Sequence, residues 1–164
     1  MLRSEIPSNI VELNTLHTTY YWVPNETQIR PTEVQQLKKF FLSNTINDEW
    51  QSVKDFILHT VFGKTFTTEG NIKLVKDSDN VTEWVFNESH FRYNIDAKAN
   101  HFVLWNSKYD YSKDFDKEMI NQLLTRMIKE KLGHSNFDFA WYKNPKPTVP
   151  ELFHLQVFWV DLSK

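Results

Sequence analysis

Cysteine is absent from this chain of 164 residues, and glycine occurs only three times. Without cysteine, disulfides, thiolate zinc sites and cysteine nucleophiles are excluded, and the composition fits a reducing compartment. The sequence also contains neither a Gly-x-Gly-x-x-Gly nor a Walker-type pattern. Because those patterns cradle phosphates through glycine backbone, we expect no nucleotide site of that kind.

An excess of positive charge is also missing, since the formal net charge is -2. Broad nucleic-acid binding needs lysines and arginines gathered on one face, so nucleic acid is not an expected partner. The segment Met1–Pro7 lacks the apolar core of a signal peptide, and no apolar run reaches the length that spans a membrane. These absences predict a cytoplasmic protein without a membrane partner.

What the chain does contain is typical of a globular protein, with 40% hydrophobic and 24% charged residues. The length suits one domain with a single core, so we expect residues 1–164 to form one domain. Residues 1–24 are predicted to be an irregular lead-in. Aromatic residues reach 15%, with six tryptophans and thirteen phenylalanines, which is a high share for a core alone.

Three helices are predicted from apolar residues that recur at helical spacing. A Thr-x-x-Gln capping box at Thr32 starts the first, and Gly63 ends the second. The second helix has two candidate starts, since Ser52 can cap a shorter version. Acidic residues at the start and lysines at the end of the third suit the helix dipole, and Gly133 stops it. The predicted ranges are about 32–42, 48–62 and 114–132.

Short runs of β-type residues occupy most of the remaining chain. Strands and helices are segregated rather than alternating. The pattern therefore predicts an α+β fold, with an antiparallel sheet of about four to six strands packed against three main helices. The predicted strands are residues 72–75, 83–86, 91–95, 101–106, 137–142 and 154–161.

Two of these strands carry the candidate site. Alternate residues of a strand lie on the same face, so His101 shares a face with Trp105, and His154 shares a face with Gln156. If the two strands are neighbours, both imidazoles can enter one cleft, where each is a candidate acid or base. Gln156 would orient a polar ligand, and Trp105 or Trp141 would stack on its apolar or sugar-like face.

A structural interpretation stands beside this functional one. Each histidine can instead hydrogen-bond a backbone carbonyl at the edge of an aromatic core, because buried polar groups need partners whatever their function. A zinc site would need a third ligand such as His90 or Asp138, and no His-x-x-x-His spacing supports it. No metal and no cofactor are therefore expected.

The loop 144–150 joins the last two predicted strands and contains three prolines. Proline fixes φ, so the loop is expected to be a stiff, extended connector. One interpretation is a pocket rim that presents Asn144 and Lys146 to a ligand. The other is a crossover that spans the sheet without adding a strand.

The closing part of the chain contains Trp141 with Asn144-Pro145, then Val149-Pro150 and His154. This run resembles the closing Asn-Pro, Val-Pro and His-x-His run of the fungal N-acetylglucosamine-induced protein family, a domain of unknown function. Gln156 stands where the family pattern has its second histidine. The resemblance implies a helical N-terminal half and a cytosolic location. It implies nothing about activity, because no activity is established for the family. The other segments of the resemblance are residues 29–32, 50–57, 86–95 and 101–105.

Two functions follow as hypotheses, and whether the protein is an enzyme stays open. The first is a single domain that binds a small polar ligand, such as a sugar or sugar phosphate, in a His/Trp-lined cleft. The second is a non-catalytic protein–protein interaction or regulatory module, in which Tyr109, Tyr111 or Trp159 form an exposed patch. The residues expected to line the cleft are His101, Trp105, Trp141, Asn144, His154 and Gln156.

Overall fold

The computed structural model describes residues 42–76, 80–89, 99–143 and 149–163. Within them the fold is α+β, with three helices, a two-stranded sheet and a four-stranded antiparallel sheet, which confirms the predicted class. The predicted strand 91–95, most of the predicted helix 32–42 and the loop residue Asn144 lie outside the described residues.

Helix α2 is shorter than the range of 48–62 that the sequence predicts. Residues 42–49 are helical and are called α1, and α2 spans Val53–Thr60. The shorter of the two candidate starts is the one observed, because Ser52 Oγ accepts a 3.1 Å hydrogen bond from the Asp55 backbone N–H. This bond satisfies a donor that the first helical turn leaves without a partner.

A hairpin follows α2. Strand β1 (Phe66–Glu69), which the sequence patterns did not predict, pairs with β2 (Ile72–Val75) across a two-residue turn at Gly70-Asn71. Gly70 has a φ of +63°, a value that residues with a Cβ rarely adopt, so glycine suits this turn.

The central sheet has the order β3-β4-β6-β5, and every pair in it is antiparallel. The predicted boundaries of its last two strands agree with the structure. A long helix, α3, follows β4 and ends at Gly133, where φ is +78°. The bounds are Trp84–Glu88 for β3, Asn100–Asn106 for β4, Lys117–Leu132 for α3, Phe137–Tyr142 for β5 and His154–Asp161 for β6.

Each face of the central sheet packs against a different part of the chain. We call the face that carries Phe102 and Leu104 the helix face, because it packs against Ile120, Leu124 and Ile128 of α3. The opposite face is the histidine face, which carries His101, Val103 and Trp105 of β4 and His154 and Gln156 of β6. At Val103 and Trp105 it packs against apolar residues of α1 and α2, namely Ile46, Ile57 and Leu58.

Candidate functional site

The predicted site residues of β4 and β6 lie on one face of the sheet. The register pairs His101 with Phe158, Val103 with Gln156 and Trp105 with His154, and directly paired residues share a face. The sequence expectation that both histidines would point to the same side is therefore met. Their separation is four residues along the ladder, or roughly 13 Å at the usual rise of about 3.3 Å per residue. The two imidazoles cannot act on one atom.

His101 is held inside the protein, with only 2% of its surface exposed. Its ring stacks on Phe158 at a centroid distance of 4.9 Å. Its Nε2 donates to Gln156 Oε1 at 2.5 Å, and the residue has a further interaction partner as well. This arrangement agrees with the structural interpretation, because a buried imidazole with its polar atoms engaged and no access to solvent cannot meet a ligand.

His154 is also buried, at 5% exposed, but it has different neighbours. Its Nδ1 lies 2.9 Å from the Leu152 carbonyl oxygen, and a carbonyl only accepts, so Nδ1 carries a proton. The ring lies between Trp105, at a centroid distance of 4.7 Å, and Tyr111, at 5.0 Å. Tyr111 belongs to the loop 107–116, so His154 lies directly beneath a surface segment.

The expectation that Trp141 lines the same cleft as the histidines is wrong, because Trp141 lies on the other face of the sheet. Trp141 pairs with Val157, which places both on the helix face. It is 4% exposed, and its Nε1–H donates to Asn121 Oδ1 of α3 at 2.8 Å. This tryptophan is a core residue that joins β5 to α3, and the sheet separates it from the histidines.

The structure also differs from the expected roles of Trp159 and Gln156. Trp159, predicted in an exposed patch, is 5% exposed and packs edge-on against Phe102 on the helix face. Gln156 lies in the middle of the histidine face as the partner of His101, so its amide is already engaged. Trp105 is buried at 8% in the core with α1 and α2, where it supports the His154 ring.

A second group of side chains surrounds the His154 end of the sheet. We call it the lysine–aromatic cluster. The Lys143 ammonium lies 4.8 Å from the Tyr111 ring centroid and 5.4 Å from that of Phe153. The Lys113 ammonium lies 4.7 Å from Tyr109 and 5.4 Å from Phe115. Each amine is thus held by two rings through cation–π contacts. The cluster consists of Tyr109, Tyr111, Lys113, Phe115, Lys143 and Phe153.

The backbone of the loop 107–116 is fixed on both sides. Asn106, which is fully buried, accepts hydrogen bonds from the N–H groups of Lys108 and Tyr109 at 2.8 and 3.0 Å. The Tyr109 carbonyl accepts from Phe153 N–H at 2.8 Å, and Tyr111 N–H donates to the Pro150 carbonyl at 3.0 Å. Because these bonds join the loop to the segment before β6, the two tyrosines are presented by an ordered backbone.

Sequence reasoning named Tyr109 and Tyr111 but missed the two lysines, Phe115 and Phe153. A signal for part of the cluster was present, because Tyr109, Tyr111, Lys113 and Phe115 alternate along a loop rather than a strand. Phe115 of this alternation packs against the core on the helix face, whereas Tyr109 is exposed. Nothing in the sequence places Lys143 above Tyr111, since that contact joins residues 32 positions apart.

Exposed carboxylates accompany the lysines. Asp114 Oδ1 lies 3.7 Å from Lys143 Nζ, and the Asp114 side chain is 96% exposed. Hydrogen bonds from the Ser112 side chain and backbone lower the pKa of Asp110, and the charges of Lys54 and Lys143 lower it further. Lys54 of α2 therefore acts on the same part of the loop. The site contains ammonium groups whose counterions are solvent-exposed carboxylates.

Asp138 differs from these because it lies on the histidine face opposite Val160. Burial raises its pKa, although a hydrogen bond from the Phe139 backbone N–H partly opposes the shift. Its second oxygen, Oδ2, is buried without a hydrogen-bond partner. A carboxyl group that is incompletely satisfied favours its neutral form.

A serine, a histidine and an aspartate meet where α3 and β6 end, and their geometry is not that of a catalytic triad. Ser163 Oγ donates to Asp161 Oδ1 at 2.6 Å, and His134 Nε2 lies 3.3 Å from each of those oxygens. His134 Nδ1 accepts from Asn136 N–H at 3.1 Å, so it carries no proton. A triad requires Nδ1–H to donate to the carboxylate. This cluster lowers the pKa of Asp161 and joins the two chain segments.

Within the described ranges, no group of three or more histidine, aspartate or glutamate side chains is placed to hold a metal ion. No helix in those same ranges combines the length and the apolar character needed to cross a membrane.

Comparisons with known proteins add little to the site. No protein-family model and no curated protein matches the chain. The crystal structure of HTC1 is similar at a TM-score of 0.47 and 13% sequence identity, over 90% of this chain and 81% of that chain. A likeness this weak carries no inference about fold or function. Membership of the N-acetylglucosamine-induced protein family stays a prediction.

Proposed function

We propose that this protein binds a small polar ligand with a sugar-like ring at the lysine–aromatic cluster above His154. The proposal keeps the ligand class expected from the sequence and moves its place. It no longer needs the His101 end, where the imidazole is buried and bonded to Gln156.

The observation that carries the proposal is the position of Lys143. Its ammonium lies above the Tyr111 and Phe153 rings, and Tyr111 in turn lies against His154. Aromatic faces beside a few convergent polar groups are the usual composition of small-molecule sites. In such a site the Tyr111 ring would stack on the C–H face of a sugar, and Lys143 would bond its polar substituents.

His154 is the candidate acid or base if chemistry follows binding. Its Nδ1 proton is directed to the Leu152 carbonyl, which fixes the orientation of the ring. The proposal itself is one of binding, and it does not depend on catalysis.

The alternative of a protein-interaction module has less support among the described residues. Their large exposed apolar side chains are Phe66, Ile72, Tyr109 and Leu162. In the hairpin, Phe66 pairs with Val75 and Ile72 pairs with Glu69, so these two side chains point to opposite faces. Apolar residues scattered in this way do not form a docking patch.

Ligand-observed NMR tests the proposal with glucose, mannose, N-acetylglucosamine and their 6-phosphates as probes. At least one probe should bind, and Tyr111→Ala should abolish the transferred signal. Phe66→Ala is the matched control, because this exposed aromatic lies on the hairpin, outside the cluster. The absence of binding by every probe, or equal losses in both variants, would contradict the proposal.

A further inference from the structure

The Lys143 ammonium already has an anion beside it, and this anion is loosely held. Asp114 Oδ1 lies 3.7 Å from Lys143 Nζ, while the Asp114 side chain is 96% exposed and the Lys143 side chain 21% exposed. An ion pair this exposed contributes little, because water and salt screen it. The carboxylate can therefore leave at low cost, and the ammonium stays in place.

The ammonium itself is positioned by contacts that do not involve Asp114. It donates to the Lys113 carbonyl at 3.2 Å and lies above two rings. The protein thus fixes the position of the cation and leaves its counterion exposed to solvent. A cation so fixed can bind an incoming anion without a large loss of side-chain freedom.

A second amine reaches the same loop from another element. Lys54 of α2 and Lys143 both act electrostatically on the carboxylate of Asp110. Lys113 contributes a further ammonium above Tyr109 and Phe115. A phosphate monoester, which carries about two charges, is attracted by the field of these amines more strongly than a singly charged carboxylate is.

We infer that the ligand of this site carries a phosphate monoester, which replaces the Asp114 carboxylate at Lys143 while the sugar ring lies on Tyr111. This inference rests on the proposed function and names the ligand class. It also assigns Asp114 a role as a competing anion, so that the aspartate sets the affinity from within the protein.

Competition between the Asp114 carboxylate and the ligand phosphate predicts the direction in which each variant changes affinity. Titration calorimetry compares each hexose with its 6-phosphate, and inorganic phosphate alone, on the wild-type protein, Asp114→Asn and Lys143→Met. The phosphorylated hexose should bind at least about tenfold tighter than the neutral one, since a charged hydrogen bond contributes roughly 1.5–3 kcal/mol. Lys143→Met keeps the apolar stem and should remove that preference.

Asp114→Asn should raise the affinity for the phosphorylated hexose by about three- to fivefold, because one unit charge some 4 Å away costs about 1 kcal/mol in water. It should leave the neutral hexose unaffected. Asp114 is so exposed that its substitution cannot unfold the protein. Lys129→Met, on an exposed position in the last turn of α3, is the control for loss of a positive charge.

The possible failures are distinguishable. If hexose and hexose phosphate bind equally well, the proposed function stands and the phosphate inference is wrong. If Asp114→Asn weakens binding of the phosphorylated hexose, Asp114 positions Lys143 and does not compete, which also overturns the inference. If inorganic phosphate binds as tightly as the hexose phosphate, the cluster is an anion site only. Should no probe bind at all, both the proposed function and the inference fail.

Discussion

The two ends of the histidine face have the same kind of residue at the same depth and differ in what lies above it. At one end His101 is stacked on Phe158 and bonded to Gln156. At the other end His154 lies against Tyr111, under a loop that carries charged and exposed side chains. Burial alone, at 2% and 5%, hardly separates them. The comparison teaches that the neighbours of an imidazole decide its role more than its exposure does.

The physical reason lies in where each strand position falls relative to the edge of the sheet. His154 is the first residue of β6, so its neighbours come from the adjoining loops. His101, the second residue of β4, pairs with Phe158 in the interior of β6, and its neighbours include Phe158 and Gln156 of that strand. Loops at strand ends can present polar groups to solvent, which strand positions covered by a packed layer cannot do.

The variant Phe158→Ala is the strongest test of core packing at the His101 end. Phe158 is fully buried and stacks on His101, so its truncation should cost about 3–5 kcal/mol of unfolding free energy. Urea denaturation measures the loss. Phe66→Ala, at 38% exposed, is the control and should cost far less. Similar small losses in both variants would mean that the His101 end is not a packed core.

His101 itself is the next test. His101→Ala removes both the ring stack and the hydrogen bond to Gln156, and should destabilise the protein by roughly 2–3 kcal/mol. His101→Phe keeps the stack and loses the hydrogen bond to Gln156, so it should recover part of that loss. Both variants should retain hexose affinity at a temperature where they are folded. A specific loss of binding in folded His101→Phe would restore His101 to the site.

The dependence of stability on pH tests whether water is excluded from Asp138 on the histidine face. Burial raises the pKa of Asp138 in the folded protein, so the unfolded chain loses its proton first as the pH rises. Stability should therefore fall between the ordinary pKa of an aspartate and the raised folded value, and remain lower above it.

Asp138→Asn removes this titration and keeps an oxygen for the Phe139 N–H. Because Asp138 is only half-buried and screened by solvent, the gain at neutral pH should be about 0.5 kcal/mol and should vanish in acid. Urea midpoints from pH 3 to pH 7 measure it. Glu130→Gln, on the exposed side of α3, controls for the change in net charge. A variant less stable than wild type at neutral pH would show that the Asp138 carboxylate has a partner in solution.

The sequence patterns predicted much of the central sheet and little of the site. Strong alternation placed β5 and β6 with the observed ends, and Gly133 marked the end of α3. The face of Trp141 depended instead on the register between β5 and β6, where a shift of one residue moves every side chain to the other face. The loop between those strands does not determine that register from sequence alone.

The lysine–aromatic cluster was harder still to predict. Its contacts join the loop 107–116 to Lys143 and Phe153, which are distant in sequence and come together only when β4, β5 and β6 have paired. Hydrophobic periodicity describes local patterns and cannot predict contacts between residues distant in sequence. The hairpin strand β1 was missed because Phe66–Glu69 contains two threonines and a glutamate and is largely exposed, which gives no alternation.

The sharpest contrast with His101 is expected at Lys143, where binding should change more than stability. Lys143→Met keeps the methylene stem against Tyr111 and Phe153 and removes the ammonium with its cation–π contacts. Such contacts contribute about 0.5–1 kcal/mol at exposed sites, and the pair with exposed Asp114 adds little. Urea denaturation should therefore show a loss of about 1–2 kcal/mol for the two contacts, still below that of Phe158→Ala, while calorimetry shows the loss of the preference for the phosphorylated hexose. Stability and binding would then change independently at the His154 end, whereas at the His101 end only stability changes.

If Lys143→Met instead unfolds the protein as readily as Phe158→Ala, the lysine is part of the core. The two ends of the histidine face would then differ in exposure only, and the reason for placing the ligand at one of them would be lost.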